Sequence, residues 1–211
     1  MDAFLNPTET PNQEMQRTVT TSDANQILDQ LEAETRAELY KSRWDAAHAQ
    51  TVVPRIVACL QLADTTVLRR ALSALVYIGP EGHLAIDSVI PLVFHTDGIV
   101  ADNAIYALGC ICWRCPERAI APLVQAASKP STQKSALFAL IGLGRGAASA
   151  APCFVAAYES RDARIRRLAL RGLKEIHADA SITDPIISRA LKDPNGQVRT
   201  AAEKLFASSN Q

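Results

Sequence analysis

The apolar positions of this chain repeat with a period of about 33 residues. An alanine marks each period, with a β-branched residue four positions before it and a leucine or phenylalanine four positions after it. Because positions i, i+4 and i+8 lie on one face of an α-helix, each period predicts an amphipathic helix. The marker alanines follow one another at intervals of 33, 32, 33 and 33 residues: Ala71, Ala104, Ala136, Ala169 and Ala202.

A second apolar segment precedes each of these helices and completes a helical hairpin. Proline is tolerated in the first turn of a helix, so one proline in each segment predicts where the first helix opens: Pro54, Pro91, Pro122, Pro152 and Pro185. Seven residues before each marker alanine stands the residue expected to cap the second helix, and four of the five are good N-caps: Asp64, Asp97, Lys129, Asp162 and Asn195. A single hairpin cannot bury its apolar stripe, so the hairpins are expected to stack into a solenoid.

The last two units carry a resemblance to a known family. The stretch from Asp193 to Arg199, followed by Ala201 and Ala202, resembles the short, bacterial form of the HEAT repeat, and 162–173 repeats the theme. The resemblance implies an all-α fold, a right-handed α–α superhelix of about five hairpins. The middle units depart from the family pattern, because Ala101 and Gln133 stand where the family has arginine and Lys129 replaces the turn aspartate.

The resemblance covers residues 52–208 and divides the chain. Residues 1–20 are expected to form a disordered tail, and residues 21–211 a single solenoid domain. Within it we expect an N-terminal capping helix in 21–50, N-capped by Ser22 or Asp23, whose apolar stripe includes Leu28, Leu31 and Leu39. Five repeats are then expected at about 52–83, 84–116, 117–148, 149–180 and 181–211.

Composition and charge narrow the class of protein. Hydrophobic residues make up 48% of the chain but aromatic residues only 5%, which favours close helix packing over a β-sandwich. Lys plus Arg total 22, and so do Asp plus Glu, so the chain has no net positive charge that would attract nucleic acid or an anionic membrane. The polar start is not a signal peptide, and five cysteines, three of them at 110–115, indicate reduced thiols. We expect a cytoplasmic protein.

Candidate catalytic and metal-binding patterns are weak. Cys112 and Cys115 have the spacing of many zinc ligands, but no second ligand pair completes a site. They are better explained as small hydrophobic residues buried in the core. The glycines at 142, 144 and 146 follow a predicted helix and not a strand, so helix termination explains them better than a phosphate loop. We therefore expect no metal, no cofactor and no enzymatic activity. A bilin-lyase-like or glycosylase-like HEAT enzyme is an alternative that rests on resemblance alone.

The resemblance implies where a partner would bind. In the family the second helices line the concave surface, and the residue two positions after each marker points away from the core. That column runs from aromatic to basic side chains, and residues 161–204 hold ten Lys or Arg against six Asp or Glu. Aromatic residues and arginine are common binding anchors, so the predicted partner-binding residues are Tyr77, Tyr106, Trp113, Phe138, Arg145, Arg167, Arg171 and Lys174.

The expected function is protein binding on this concave face, with an acidic element of the partner lying over the basic repeats. An inhibitor, immunity protein, adaptor or scaffold would fit this interpretation. Nucleic-acid binding through the basic C-terminal repeats is a further alternative, which the neutral overall charge disfavours.

Overall fold

The computed structural model describes residues 19–38 and 46–209 of the chain, and regular structure in that part is helical, with no strand. The helices are α1 (Thr21–Glu38), α2 (Ala46–Cys59), α3 (Thr65–Ile78), α4 (Ile86–Val89), α5 (Gly98–Ile111), α6 (Glu117–Ala127), α7 (Gln133–Gly142), α8 (Ala151–Tyr158), α9 (Ala163–Glu175), α10 (Ala180–Ala190) and α11 (Gly196–Ser209). 3₁₀ turns at Gly79–Ala85, Ile90–Phe94 and Gly144–Ala150 interrupt the series.

Two rows of helices form the molecule. The second helices of the hairpins, α3, α5, α7, α9 and α11, pack side by side in chain order, and each first helix packs on its neighbours in the other row. All five marker alanines are fully buried at the contacts between helices. The 33-residue period therefore gives the core of an α-solenoid, as the sequence predicted.

Helix α1 extends the row of second helices. It packs against α3, as α3 packs against α5, and it buries Ala24, Leu28 and Leu31. The expected N-cap, Ser22 or Asp23, is wrong, because both residues lie inside the helix, which begins at Thr21. Thr20 is the cap: its hydroxyl accepts from the Asp23 N–H at 3.2 Å, and the Asp23 carboxylate accepts in return from the Thr20 N–H at 3.0 Å. Residues 1–18 and the predicted stripe residue Leu39 lie outside the described residues.

Four second helices have the side-chain cap that the sequence predicts. The carboxylates of Asp64, Asp97 and Asp162 and the amide oxygen of Asn195 accept hydrogen bonds from N–H groups of the first turn. Lys129 has no such acceptor, and α7 starts a turn late, after Thr132. The Thr132 hydroxyl donates back to the Ala126 carbonyl at 2.7 Å and leaves that first turn uncapped.

Of the five prolines, only Pro152 opens a first α-helix as expected. Pro54, Pro122 and Pro185 lie inside α2, α6 and α10, while Pro91 and Pro152 begin a 3₁₀ turn and α8. An interior proline lacks the N–H for the i−4 carbonyl and crowds that turn. The segments ahead of Pro91 and Pro152 accordingly contain 3₁₀ turns and not one continuous helix.

Candidate functional site

Two adjoining grooves lie on the exposed side of the second helices. The first, which we call the aromatic groove, has a volume of about 630 Å³ and lies on α3, α5 and α7. The second, the basic groove, has a volume of about 1210 Å³ and lies on α7, α9 and α11. Phe138 on α7 lines both, so the two grooves form one continuous surface.

The walls of the aromatic groove are exposed aromatic rings. Tyr77, Tyr106 and Trp113 are 61%, 61% and 63% exposed, and Phe138 is 44% exposed. Tyr77, Tyr106 and Phe138 lie off the helical face that carries the marker alanine, and Trp113 lies in the turn after α5. Four large rings lining one groove form a contiguous apolar patch, which is the kind of exposed surface that marks a binding site.

Small residues form the floor of the aromatic groove. A Cβ added to Gly109 of α5 would stand 3.2 Å from the Cβ of Ala139 on α7, so these two helices approach closely there. Gly142, at the end of α7, has open space where its Cβ would stand. The floor therefore leaves room for a side chain from outside. The glycines are visible in the sequence, but no pattern there indicates that they form this floor.

An ion pair and a thiol complete the lining. Arg114 Nη1 lies 2.6 Å from Glu81 Oε1, and both residues line the aromatic groove. Cys110 lines it as well, and burial raises the pKa of its thiol, which keeps the sulfur neutral. The groove thus offers apolar contact with one paired charge at its edge.

The basic groove carries six cations and two carboxylates. The carboxylate of Asp162 is engaged as the cap of α9, where it accepts from the Arg164 N–H at 2.8 Å. Arg167 Nη1 donates to the neutral amide oxygen of Gln197 at 2.7 Å. The cations lie on three successive second helices: Lys134, Arg164, Arg167, Arg171, Lys174 and Lys204.

None of these six cations has an acidic partner within 4 Å in the part of the chain that the structure describes. Some arginines elsewhere do pair with carboxylates. Arg118 pairs with Asp87 on the first-helix side, and Arg189 makes two hydrogen bonds to Glu159. The basic groove therefore holds a cluster of six cations that no described carboxylate pairs with, in a protein with no net charge.

The structure brings together seven of the eight residues that the sequence singled out. The aromatic groove holds Tyr77, Tyr106, Trp113 and Phe138, and the basic groove holds Phe138, Arg167, Arg171 and Lys174. Arg145 lines neither groove. It follows Gly144, whose φ of +55° turns the chain away from α7, and its Nη2 lies 3.4 Å from His177 Nδ1.

The cysteine cluster does not form a metal site in the described residues, where no group of three or more His, Cys, Asp or Glu side chains lies close enough to hold an ion. Burial and the neighbouring Cys115 raise the pKa of Cys112 to about 12, so its thiol is protonated at neutral pH.

The grooves supply non-covalent chemistry: apolar contact, stacking and charge-assisted hydrogen bonds. No helix in the described part of the chain is long and apolar enough to cross a membrane.

The two helix rows and the continuous groove define this chain as an α-solenoid of helical repeats. Two solved structures share the fold. An engineered protein from the Northeast Structural Genomics Consortium matches with a TM-score of 0.62 at 17% identity, over 92% of this chain and 94% of that one. A designed armadillo repeat protein in complex with the peptide (KR)4 matches with a TM-score of 0.65 at 14% identity, over 92% of this chain and 97% of that one.

No family model matches the chain, and no curated protein matches it. The neighbours establish a helical-repeat solenoid, while the specific resemblance to HEAT repeats stays a prediction from the sequence.

Proposed function

We propose that this chain is a non-enzymatic binding module that holds a segment of a partner protein across its second helices. The single observation that carries the proposal is the continuity of the two grooves through Phe138. Exposed aromatic rings and arginines are the side chains that most often dominate binding energy at protein interfaces. An inhibitor, an immunity protein or an adaptor would each use such a surface, and a cytoplasmic location fits the reduced cysteines.

A neighbour with the same fold supports this proposal. The designed armadillo repeat protein is in complex with a basic peptide, (KR)4. The groove of the present chain carries six cations with no acidic partner among the described residues, and these would repel a basic peptide. We therefore expect a partner segment with acidic character.

The proposal is tested by capture of partners from a host lysate on the immobilised chain, followed by direct titration of the purified partner. Changing Tyr106→Ala and Phe138→Ala together removes two groove walls, and we expect at least a tenfold weaker Kd, as hot-spot truncations cost about 2 kcal/mol or more. A matched control is Leu84→Ala with Leu191→Ala, two exposed apolar residues that line neither groove. Equal loss in both double variants would contradict this surface.

The six cations also favour a second candidate, binding of single-stranded nucleic acid. Bases would stack on the aromatic rings while the backbone follows the basic groove. This candidate predicts that the chain shifts the mobility of a single strand, with an affinity that falls steeply as the salt concentration rises. Chromophore transfer and base excision by the purified protein are the assays for the bilin-lyase-like and glycosylase-like alternatives.

A further inference from the structure

The two grooves differ in chemistry but form one path, and this arrangement specifies the ligand more closely than protein binding alone. An apolar side chain fits the aromatic groove, which the rings line and where a Cβ on Gly142 would have no atom within 4 Å. A carboxylate fits the basic groove, where the side chains of Arg167 and Arg171 are exposed and have no acidic partner in the described structure. A ligand that used both would carry both groups on one strand of chain.

The helix spacing sets the distance between the two groups. The aromatic groove is centred on α5 and the basic groove on α9, and these are two steps apart in the row of second helices. Packed helices lie about 8–10 Å apart, so the two centres are separated by about 16–20 Å. An extended chain advances about 3.3–3.6 Å per residue, so five or six residues connect the centres.

The charge of the basic groove sets how many carboxylates the ligand carries. Six cations face two carboxylates of the chain itself, Asp162 and Glu175, which leaves an excess of about four positive charges. Because α9 presents Arg164 through Lys174 along its length, four of the six cations lie spread over about 15 Å of helix axis. A run of three or four acidic residues would neutralise them.

We propose that the ligand is a single extended peptide segment with an aromatic or large aliphatic anchor and, five or six residues away, a run of three or four Asp or Glu residues. The anchor enters the aromatic groove beside Phe138 and Gly142, and the acidic run lies over Arg167 and Arg171. This inference rests on the proposed function and names its partner by chemistry.

The test uses the full chain and fluorescein-labelled synthetic peptides of 14 residues. The reference peptide has a Leu-Phe pair and, five residues further on, four Glu residues, and it is made in both chain directions. Two further peptides replace the four Glu by Gln or the Leu-Phe pair by Gly-Ser. We expect micromolar binding in at least one direction by fluorescence anisotropy, and at least tenfold weaker binding of each replaced peptide.

Two protein variants locate the acidic run. Arg167→Glu with Arg171→Glu should weaken the reference peptide at least tenfold. The control pair, Arg118→Glu with Lys192→Glu, makes the same change of net charge at exposed sites outside both grooves and should leave binding within twofold. Far-UV circular dichroism and thermal melting confirm that both variants are folded before titration.

One protein variant locates the anchor. Gly142→Leu places a side chain in the open floor without meeting another atom at its Cβ, so it should keep the fold and weaken the reference peptide. It should leave the weak binding of the Gly-Ser peptide unchanged, because that peptide has no anchor to displace.

Several outcomes would overturn the inference. Equal binding of the Gly-Ser peptide, or of a 14-nucleotide single strand with the same sensitivity to Arg167→Glu, would indicate a site for polyanions. No binding of either reference peptide, while a captured partner is still lost with Tyr106→Ala and Phe138→Ala, would contradict this ligand and leave the proposed function standing. If neither reference peptide binds and the variant with Tyr106→Ala and Phe138→Ala still retains the captured partner, the proposed function falls as well.

Discussion

The ring of Phe154 stands where the side chain of residue 172 would be. A Cβ added to Gly172 would lie 2.0 Å from Phe154 Cε1 and 2.2 Å from Cδ1, and the ring is fully buried. The pair joins α8 to α9, the two helices of one hairpin. The same position of the three preceding repeats holds alanine, so this contact replaces a methyl group with an aromatic ring from the other helix row.

Gly172→Ala should therefore destabilise the protein by about 2–3 kcal/mol, because the enclosed ring must move to admit a methyl group. Urea unfolding followed by circular dichroism measures this change. Gly142→Ala is the matched control, since its Cβ would meet no atom, and we expect it to be neutral or slightly stabilising. Adding Phe154→Leu to Gly172→Ala should recover part of the loss, and equal midpoints for wild type and Gly172→Ala would contradict the packing described.

The buried Asp193 carboxylate predicts a pH dependence of stability. Arg166 donates to it from Nε and Nη2, both at 2.8 Å, and this guanidinium holds the pKa of Asp193 below its usual value. A depressed folded-state pKa contributes stability that is complete above the unfolded value of about 3.9 and is lost as the pH falls through the folded value. Stability should therefore decline below about pH 4.

Asp193→Asn tests this assignment. The variant should be less stable than wild type at pH 6, and the difference should shrink at pH 3, as measured by urea unfolding at both values. Asp184 is an exposed carboxylate on α10, and Asp184→Asn is the control. Its free energy of unfolding should change with pH as that of wild type does. A constant difference between Asp193→Asn and wild type across this range would contradict the role of the ionised carboxylate.

The uncapped turn before α7 is open to improvement. Lys129→Asp would place a carboxylate where Asp64 and Asp97 cap their helices, and a new N-cap contributes about 1 kcal/mol. The change also removes the contact of Lys129 Nζ with the Phe94 ring, 4.9 Å from its centroid. We expect a net gain of about 0.5 kcal/mol. Lys129→Ala loses the ring contact without adding a cap, so the midpoint of its urea unfolding should fall. A lower unfolding midpoint for both variants would contradict this prediction.

The end of α9 carries a strained residue. His177 has a φ of 53°, and the Ala178 N–H donates to the Leu173 carbonyl at 3.0 Å, the pattern of a helix terminated by a left-handed residue. Glycine adopts this conformation without the Cβ penalty, so His177→Gly should stabilise the protein by about 1 kcal/mol. Thermal unfolding measures the gain, and His83→Gly, at an exposed position without positive φ, should give none.

The periodic features of this fold could be predicted from the sequence because they depend on local rules. The marker alanines, the i±4 stripe and the four caps follow from helix geometry and hydrogen bonding within a few residues. The predictions that failed involved competition between rules. Three prolines lie inside first helices because tertiary packing outweighs the local cost, and Thr132 uses its hydroxyl to bond the preceding helix and not to cap its own.

The site could be predicted in part for the same reason. Residues two positions after each marker alanine must point off the core stripe, which located Tyr106, Phe138 and Arg171. The floor of the aromatic groove depends on how closely α5 and α7 approach, and no local rule gives that distance. Arg145 was included for its charge, but the left-handed Gly144 before it directs the chain elsewhere.

The position of Phe138 on the boundary of both grooves has a thermodynamic consequence. A side chain that contacts both halves of a ligand makes their binding free energies non-additive. When the first half binds, it fixes this side chain, so the second half binds without losing that conformational entropy again. A residue substituted in one groove would then change the effect of a substitution in the other. The surface would evolve as a unit, with new specificity arising from paired changes on either side of a single ring.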